Sequence, residues 1–305
     1  MTQILVYEST CAGDLGNDAP ASLRREGEAM LSAVLADFQL ISGVNAKKVS
    51  GPFSLEKGPD TFFALVIAPE FDDLLRRRSQ EVLDAGGCLL GSLPQAIAQT
   101  GDKLALARHW HNRSVRHPVT AARFEDVPPA CVLKPRFGAG SQATFLIRDH
   151  AEKEKLVDRA STEWPSGEFI VQHYVAGKAA SVALLIGPTQ TTPLVPAWQL
   201  LSSDGRFRYQ GGSLPIPAPL AERATRLALD AVAGIQGLQG YVGVDLVLGD
   251  DGVDHAIEIN PRLTTSYLGL RRLCQQNLAE LILRCVQGEI VPPPKWHAGE
   301  VAFSV

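Results

Sequence analysis

The chain has 305 residues, 45% of them apolar, and a formal net charge of −4. That is enough chain for two or three linked domains with buried cores, and the scattered Lys and Arg form no basic stripe of the kind that neutralises a nucleic-acid backbone. The start, MTQILVYEST, has no basic segment before a long apolar core, and the longest apolar runs, such as residues 62–68, are too short to span a bilayer, so the expectation is a cytoplasmic protein with neither nucleic-acid nor membrane partners.

Along the first hundred residues strand-like and helix-like segments alternate. Residues 3–8 form an apolar strand, residues 21–38 carry helical spacing through Leu23, Met30, Leu31, Val34 and Leu35, and residues 62–68 are a second strand. A helix over 72–85, with Leu74, Leu75 and Val82 inward, precedes the Gly86-Gly87 stop and a short strand at 88–90. This order predicts an open α/β domain with a small parallel sheet over residues 1–99.

From Thr100 the pattern shifts. Thr100-Gly101-Asp102 caps a helix through Trp110, and strands at 130–134 and 143–147 flank Phe137-Gly138-Ala139-Gly140-Ser141-Gln142. A helix near 150–160 and a strand at 168–173 complete a central piece, residues 100–178. The remainder, 179–305, reads as α+β: strands at 179–186, 193–201 and 206–209, a helix at 220–235, a hairpin over 241–260, and one terminal helix from about Thr265 to Val286. The proline run at 292–294 marks the end of that helix.

The five cysteines match no disulfide or zinc spacing. Cys11 alone sits in a Gly-containing loop after a strand, and no neighbour in sequence supplies the base that a thiol nucleophile needs, so an incidental thiol is favoured over a catalytic one.

Gly249-Asp250-Asp251-Gly252 closes the hairpin. If Leu248 pairs with Val253, facing residue numbers sum to 501, placing Asp245 opposite Ala256 and Gly243 opposite Glu258. Val242, Val244, Leu246 and Leu248 then face the core, while Tyr241, Gly243, Asp245, Ala256, Glu258 and Asn260 share the other face. Asp245 and Glu258 become diagonal neighbours, roughly 7 to 8 Å apart at the backbone, a span that a divalent cation can bridge. Two readings stand at this point, a metal site and the solvated face of an amphipathic hairpin; a bulge would shift the pairing.

Lys134-Pro135-Arg136-Phe137-Gly138-Ala139-Gly140-Ser141 is a strand ending in basic residues, then a Gly loop whose amides could fold over anionic oxygens. It fits neither GxxxxGK nor the dinucleotide fingerprint, and taken alone it reads first as a plain hairpin connection. Lys103, in the first turn of a helix, lies where free amides favour an anion, though taken alone it reads as a solvated first-turn lysine.

Taken in order, Asp102-Lys103, Lys134-Pro135 with its Gly-Ala-Gly-Ser loop, Val171-Gln172-His173-Tyr174-Val175-Ala176-Gly177, Asp245, and Glu258-Ile259-Asn260-Pro261-Arg262 resemble the ATP-grasp superfamily over almost the whole chain. The resemblance implies three domains, with ATP held between the central and C-terminal ones. It implies that Lys103 and Lys134 contact phosphates, that Gly138, Ala139, Gly140 and Ser141 cover them, and that Gln172, His173, Tyr174 and Val175 hold adenine. Asp245, Glu258 and Asn260 would coordinate Mg²⁺, with Mn²⁺ as an alternative.

Within the superfamily, Tyr7-Glu8, Glu26-Gly27, Met30-Leu31, Tyr209-Gln210-Gly211-Gly212 and the run from Pro261 to Tyr267 resemble the tyramine–glutamate ligases of methanofuran biosynthesis. That resemblance implies an ADP-forming carboxylate–amine ligase that works through an acyl phosphate, with glutamate as the acid and tyramine or tyrosine as the amine. Two departures are visible. Ala179 stands where many relatives place a ribose-binding carboxylate, and Gly243 stands where D-alanine ligases carry an oxyanion-binding arginine, which makes Arg262 the candidate for that role beside Lys134. Thr264-Thr265-Ser266 begins the last helix and reads equally as a substrate-carboxylate site or a plain cap. A D-alanine-type dipeptide ligase or other ATP-grasp enzyme, such as a carboxylase-like relative, and a non-catalytic ATP-binding regulatory protein are the alternatives, and a homodimer is left open.

Overall fold

The computed structural model describes residues 1–16, 20–49, 62–165 and 167–304. Near the N-terminus, β1 (Thr2–Glu8) lies between β2 (Val44–Lys48) and β3 (Phe63–Ile67), and β4 (Cys88–Leu89) completes a four-stranded parallel sheet in the order β2-β1-β3-β4. After β1 comes a single turn, α1 (Ser9–Ala12), and then α2 (Ala21–Gln39), which buries Met30, Leu31, Val34 and Phe38. Beyond β3, a 3-10 turn at Phe71–Asp73 leads into α3 (Leu74–Asp84), with Leu74, Leu75 and Val82 inward as the spacing predicts. Strand β2 escapes the sequence pattern because only Ala46 of Val-Asn-Ala-Lys-Lys is buried, which suits an edge strand.

The predicted cap at Thr100 is corrected. Residues 94–101 form their own helix, α4 (Pro94–Gly101), and the Thr100 hydroxyl donates to the Ala96 carbonyl inside it. Asp102 caps α5 (Lys103–Asn112), its carboxylate accepting from the amides of Leu104 and Ala105 at 3.1 Å each.

A second, antiparallel sheet has the order β5-β8-β6-β7, built from β5 (Thr120–Ala121), β6 (Cys131–Pro135), β7 (Phe145–Ile147) and β8 (Phe169–His173). Helix α6 (His150–Glu163) contacts β6 and β7. The third sheet runs β14-β13-β9-β11-β12-β15 with β10 paired to β9. Its strands are β9 (Gly177–Ile186), β10 (Thr191–Pro193), β11 (Ala197–Leu201), β12 (Tyr209–Leu214), β13 (Gly240–Gly249), β14 (His255–Asn260) and β15 (Val301–Phe303). Thus the strand predicted at 193–201 splits in two, and the one predicted at 206–209 lies later in the chain.

Helix α7 (Ala218–Val232) lays Ala224, Ala228 and Ala231, all fully buried, on β9 and β13. Spacings of four and three put these small side chains on one face, so the helix can approach the sheet closely over Val182, Leu184, Val242 and Val244. The opposite face of β13 is left to line a cleft. The predicted single terminal helix is broken into α8 (Ser266–Leu273) and α9 (Leu278–Val286). Asn277 explains the break, because its side chain accepts from the amides of Ala279 and Glu280 while its Nδ2 donates to the Asp37 carbonyl on α2.

Candidate active site

The hairpin register differs from the prediction by a bulge. Gly243 faces Asn260, Val244 faces Ile259 and Asp245 faces Glu258, after which Leu246 faces Ala256, so Ile257 is the extra residue. Ala256 therefore turns to the buried side with Leu246, not to the acidic face. Asp245 and Glu258 become directly opposed rather than diagonal neighbours, which brings the two carboxylates closer than the unbulged register allows. Gly243 has to be small here, since a Cβ would lie 2.8 Å from Thr264 Cγ2.

Asp245 is wired on both oxygens. Gln199 Nε2 on β11 donates to Oδ1 at 2.9 Å, and Asn260 Nδ2 donates to Oδ2 at 3.1 Å. Burial and the facing Glu258 push the Asp245 carboxyl well above the usual carboxylate range. Burial acts on Glu258 in the same direction, but the Lys103 and Lys134 cations outweigh it and hold Glu258 below its ordinary value. The two opposed acids are thus pushed in opposite directions, Asp245 up and Glu258 down.

Each lysine is placed by its own element. Lys134, on β6, is buried and gives Nζ to Gln172 Oε1 at 2.9 Å, while Gln172 Nε2 donates to Thr120 Oγ1 at 2.9 Å. Burial pushes its ammonium down to about 8, against the pull of Glu258. Lys103 owes its position to Asp102, whose carboxylate both caps α5 and receives Arg136 Nε and Nη2 at 2.8 and 2.6 Å. From there Lys103 Nζ donates to the Gly138 carbonyl at 2.7 Å and lies 3.7 Å from Glu258.

The Gly loop is strained and tethered. Gly140, Ser141 and Ala143 all have positive φ, at 66°, 56° and 44°, a conformation costly for the last two. Ser141 Oγ donates to the Phe207 carbonyl at 2.7 Å, and the Leu146 amide donates to the Gly205 carbonyl at 2.8 Å, so the loop rests on the β11–β12 connection. Across it, Phe207 stacks on Tyr174 with ring centroids 6.2 Å apart.

A cleft of about 650 Å³ brings these parts together. Lys103, Lys134, Asp245, Glu258, Asn260 and Arg262 all line it; so do Gly138, Ala139, Gly140 and Ser141, and the segment Gln172, His173, Tyr174 and Val175. Within that segment the Gln172 side chain is already spent on Lys134 and Thr120, which leaves its neighbours to meet a base. Ala179 lines the cleft as well. Arg262 is not a free guanidinium: Nε and Nη2 grip Glu70 at 2.9 and 3.2 Å, a part-buried pair joining the end of β14 to the stretch after β3. Thr265 begins α8 without a side-chain cap bond, which removes the plain-cap reading; the Thr264 and Ser266 hydroxyls are occupied with each other and with Tyr241. Cys11 lies outside the cleft lining, and burial together with Glu8 pushes its thiol up to about 11, the reverse of activation.

Sequence reasoning missed Gln199 and Glu70. Glu70 had a signal, since it lies just past the carboxyl end of a parallel strand, where open α/β sheets build their sites. Gln199 had none, being one polar residue in a strand whose register only the fold reveals.

The ATP-grasp domain family matches residues 100–266, more than half of the chain, and the pre ATP-grasp 3 domain matches residues 61–97. The chain belongs to the ATP-grasp family. Among ATP-grasp relatives, the tyramine–L-glutamate ligase of Methanocaldococcus jannaschii is 30% identical over 77% of this chain and 66% of its own length. That of Methanocaldococcus fervens is 31% identical over 74% of this chain and 67% of its own. The chain thus spans about two thirds of these relatives, and the resemblance read from the motifs is borne out. An ATP-grasp superfamily protein from Archaeoglobus fulgidus superposes with a TM-score of 0.76 at 25% identity, over 97% of this chain and 91% of that one.

The donor set fits the divalent cation that ATP-grasp chemistry implies. Among the described residues no group of three or more His, Cys, Asp or Glu side chains could hold a metal by itself. Two carboxylates and an amide, all hard oxygen donors, suit Mg²⁺, which is commonly held by one or two carboxylates and completed by water and substrate phosphates. The raised Asp245 carboxyl is the corresponding electrostatic mark of two opposed acids.

Proposed function

We propose that this protein is an ADP-forming carboxylate–amine ligase that joins glutamate to tyramine or tyrosine through an acyl phosphate. In this reading residues 1–99, 100–178 and 179–305 are three domains, with ATP in the cleft between the last two, and the reaction is cytoplasmic because it draws on ATP. The observation that carries the proposal is the convergence of Lys103, Lys134, the Gly loop and the Asp245–Glu258–Asn260 set on one cleft. A carboxylate and an amine do not condense spontaneously in water, so the acid is first activated by the γ-phosphoryl group of ATP. That transfer needs positioning and compensation of negative charge rather than a protein nucleophile. Lys103 and Lys134 supply charge, and the amides of Gly138 to Ser141 supply donors. Mg²⁺ or Mn²⁺, held by Asp245, Glu258 and Asn260, would neutralise phosphate charge and orient the transferring group.

Attack by the amine builds a tetrahedral oxyanion, for which Arg262 is the nearby guanidinium, aimed by Glu70. The acyl phosphate is lost if water reaches it, and the loop held by Lys103 and Ser141 is placed to exclude water. Tyramine–L-glutamate ligases at 30% and 31% identity support the choice of substrates, and with it a role in methanofuran biosynthesis. The test is ADP release with glutamate alone and with tyramine or tyrosine added. Amine-dependent ADP formation is expected; ATP binding without turnover would instead favour a regulatory role.

A further inference from the structure

The cleft contains one carboxylate that the chemistry above leaves unused. Glu26, on α2, lines the cleft on the side of Arg262 and Tyr209. Lys103 and Lys134 act on Glu258, and Arg262 commits both Nε and Nη2 to Glu70. No hydrogen bond or ion pair engages Glu26 among the described residues. The backbone beside it is pinned. A Cβ on Gly27 would fall 2.4 Å from Glu8 Oε1, so α2 packs directly on the Glu8 carboxylate, which itself accepts from the amides of Thr10 and Cys11 at 3.2 and 2.8 Å. Glu26 is therefore presented to the cleft by a tightly fitted turn, felt by the Arg262 and Arg25 charges but hydrogen-bonded to neither.

Resting on the ligase reading, we infer that Glu26 is a specificity-determining residue that anchors the ammonium group of the amino-acid substrate, the one whose carboxylate is activated. Chemistry selects that substrate over the amine. The nitrogen of the acceptor must lose a proton before it attacks, and a neighbouring carboxylate stabilises its protonated, unreactive form. The ammonium of the activated amino acid stays charged through both steps and gains from a permanent anionic partner. Burial raises the Glu26 carboxyl above its ordinary value despite Arg262 and Arg25, as expected of an acid whose cation arrives with the ligand. Arg262 and the uncapped start of α8 lie in the same cleft, so the region offers both signs of charge to a zwitterion.

The experiment compares glutamate with glutarate, the same diacid without its ammonium, in wild type and Glu26→Gln, at saturating ATP and amine. Wild type is expected to favour glutamate by about 10- to 100-fold in kcat/KM, the range of a charge-assisted hydrogen bond. Glu26→Gln should lose that preference through a higher KM for glutamate, with glutarate turnover and the KM for ATP unchanged, and Glu26→Asp should restore part of it. A preference that survives in Glu26→Gln overturns the inference. So does equal use of the two acids by wild type, which needs no variant to fold, and so does an equal fall in kcat for both acids, the mark of a general base. If wild type turns over neither acid with any amine, the ligase reading itself fails, and the Glu26 assignment falls with it.

Discussion

Asp245 and Glu258 face each other directly across the β13–β14 ladder, with Asp245 pushed above the usual carboxylate range by burial and Glu258 held below its own by Lys103 and Lys134. Like charges directly opposite in a sheet are unfavourable. In the proposed reading this pair, with Gln199 and Asn260 both donating to Asp245, is the cation site. Glu258→Gln should lower kcat/KM by at least about 100-fold, more than the loss of an outer-shell partner usually costs. Gln199→Ala should weaken the apparent Mg²⁺ affinity by about 10- to 100-fold while leaving ATP affinity in excess metal nearly intact. Titration of activity with Mg²⁺ in both variants checks the two together. Full activity in Glu258→Gln would remove the metal assignment.

Lys134 predicts a pH dependence. Its folded-state value, about 8, lies below the ordinary 10.5. Keeping this lysine charged therefore costs stability below about pH 8, and the cost fades as pH rises toward the unfolded value. ATP binding calls for the charged form. Below about pH 8 the apparent affinity for ATP should be flat, and above it affinity should fall by about tenfold per pH unit as binding takes up one proton. Calorimetry with a non-hydrolysable analogue from neutral to alkaline pH measures both affinity and proton uptake. Lys134→Arg, which cannot lose its proton, should flatten the profile.

How much of this was legible in the sequence depends on the range of each interaction. The Gly loop, Lys103 and Lys134 are local signals of residue type and spacing, and they appear in the cleft where the motif order implies. The hairpin was legible as a hairpin but not in register, because the bulge at Ile257 answers to packing: it turns Ala256 toward α7 and the core. Asp102 outcompeted Thr100 as cap because its carboxylate serves two amides and Arg136 at once, and Arg136 is 34 residues away. Glu70 and Arg262 are separated by 192 residues, beyond any local pattern.

That pair carries a stability prediction. With side-chain exposures of 14% and 6%, Arg262 and Glu70 are both shielded from water. Glu70→Ala strands a part-buried guanidinium and should cost about 1 to 3 kcal/mol in urea unfolding, whereas replacing both residues by apolar ones of similar volume should cost less. The double variant should also be the slower enzyme, since it has lost the guanidinium. Equal stability of Glu70→Ala and wild type would show that the pair is solvated.

Gly27→Ala tests the fit of α2 on Glu8. The added methyl meets a carboxylate already held by two amides, so thermal unfolding should reveal a loss of about 1 to 3 kcal/mol. Gly91→Ala, where a Cβ meets nothing within 4 Å, is the matched control.

The central claim is that the carboxylate is activated by phosphorylation before the amine attacks. Glutamate labelled with heavy oxygen in its carboxylates, turned over with ATP and tyramine or tyrosine, tests it most directly by mass analysis of the released phosphate. Transfer of one labelled oxygen to phosphate for each amide formed is the predicted result. Amide formation with unlabelled phosphate would contradict the account.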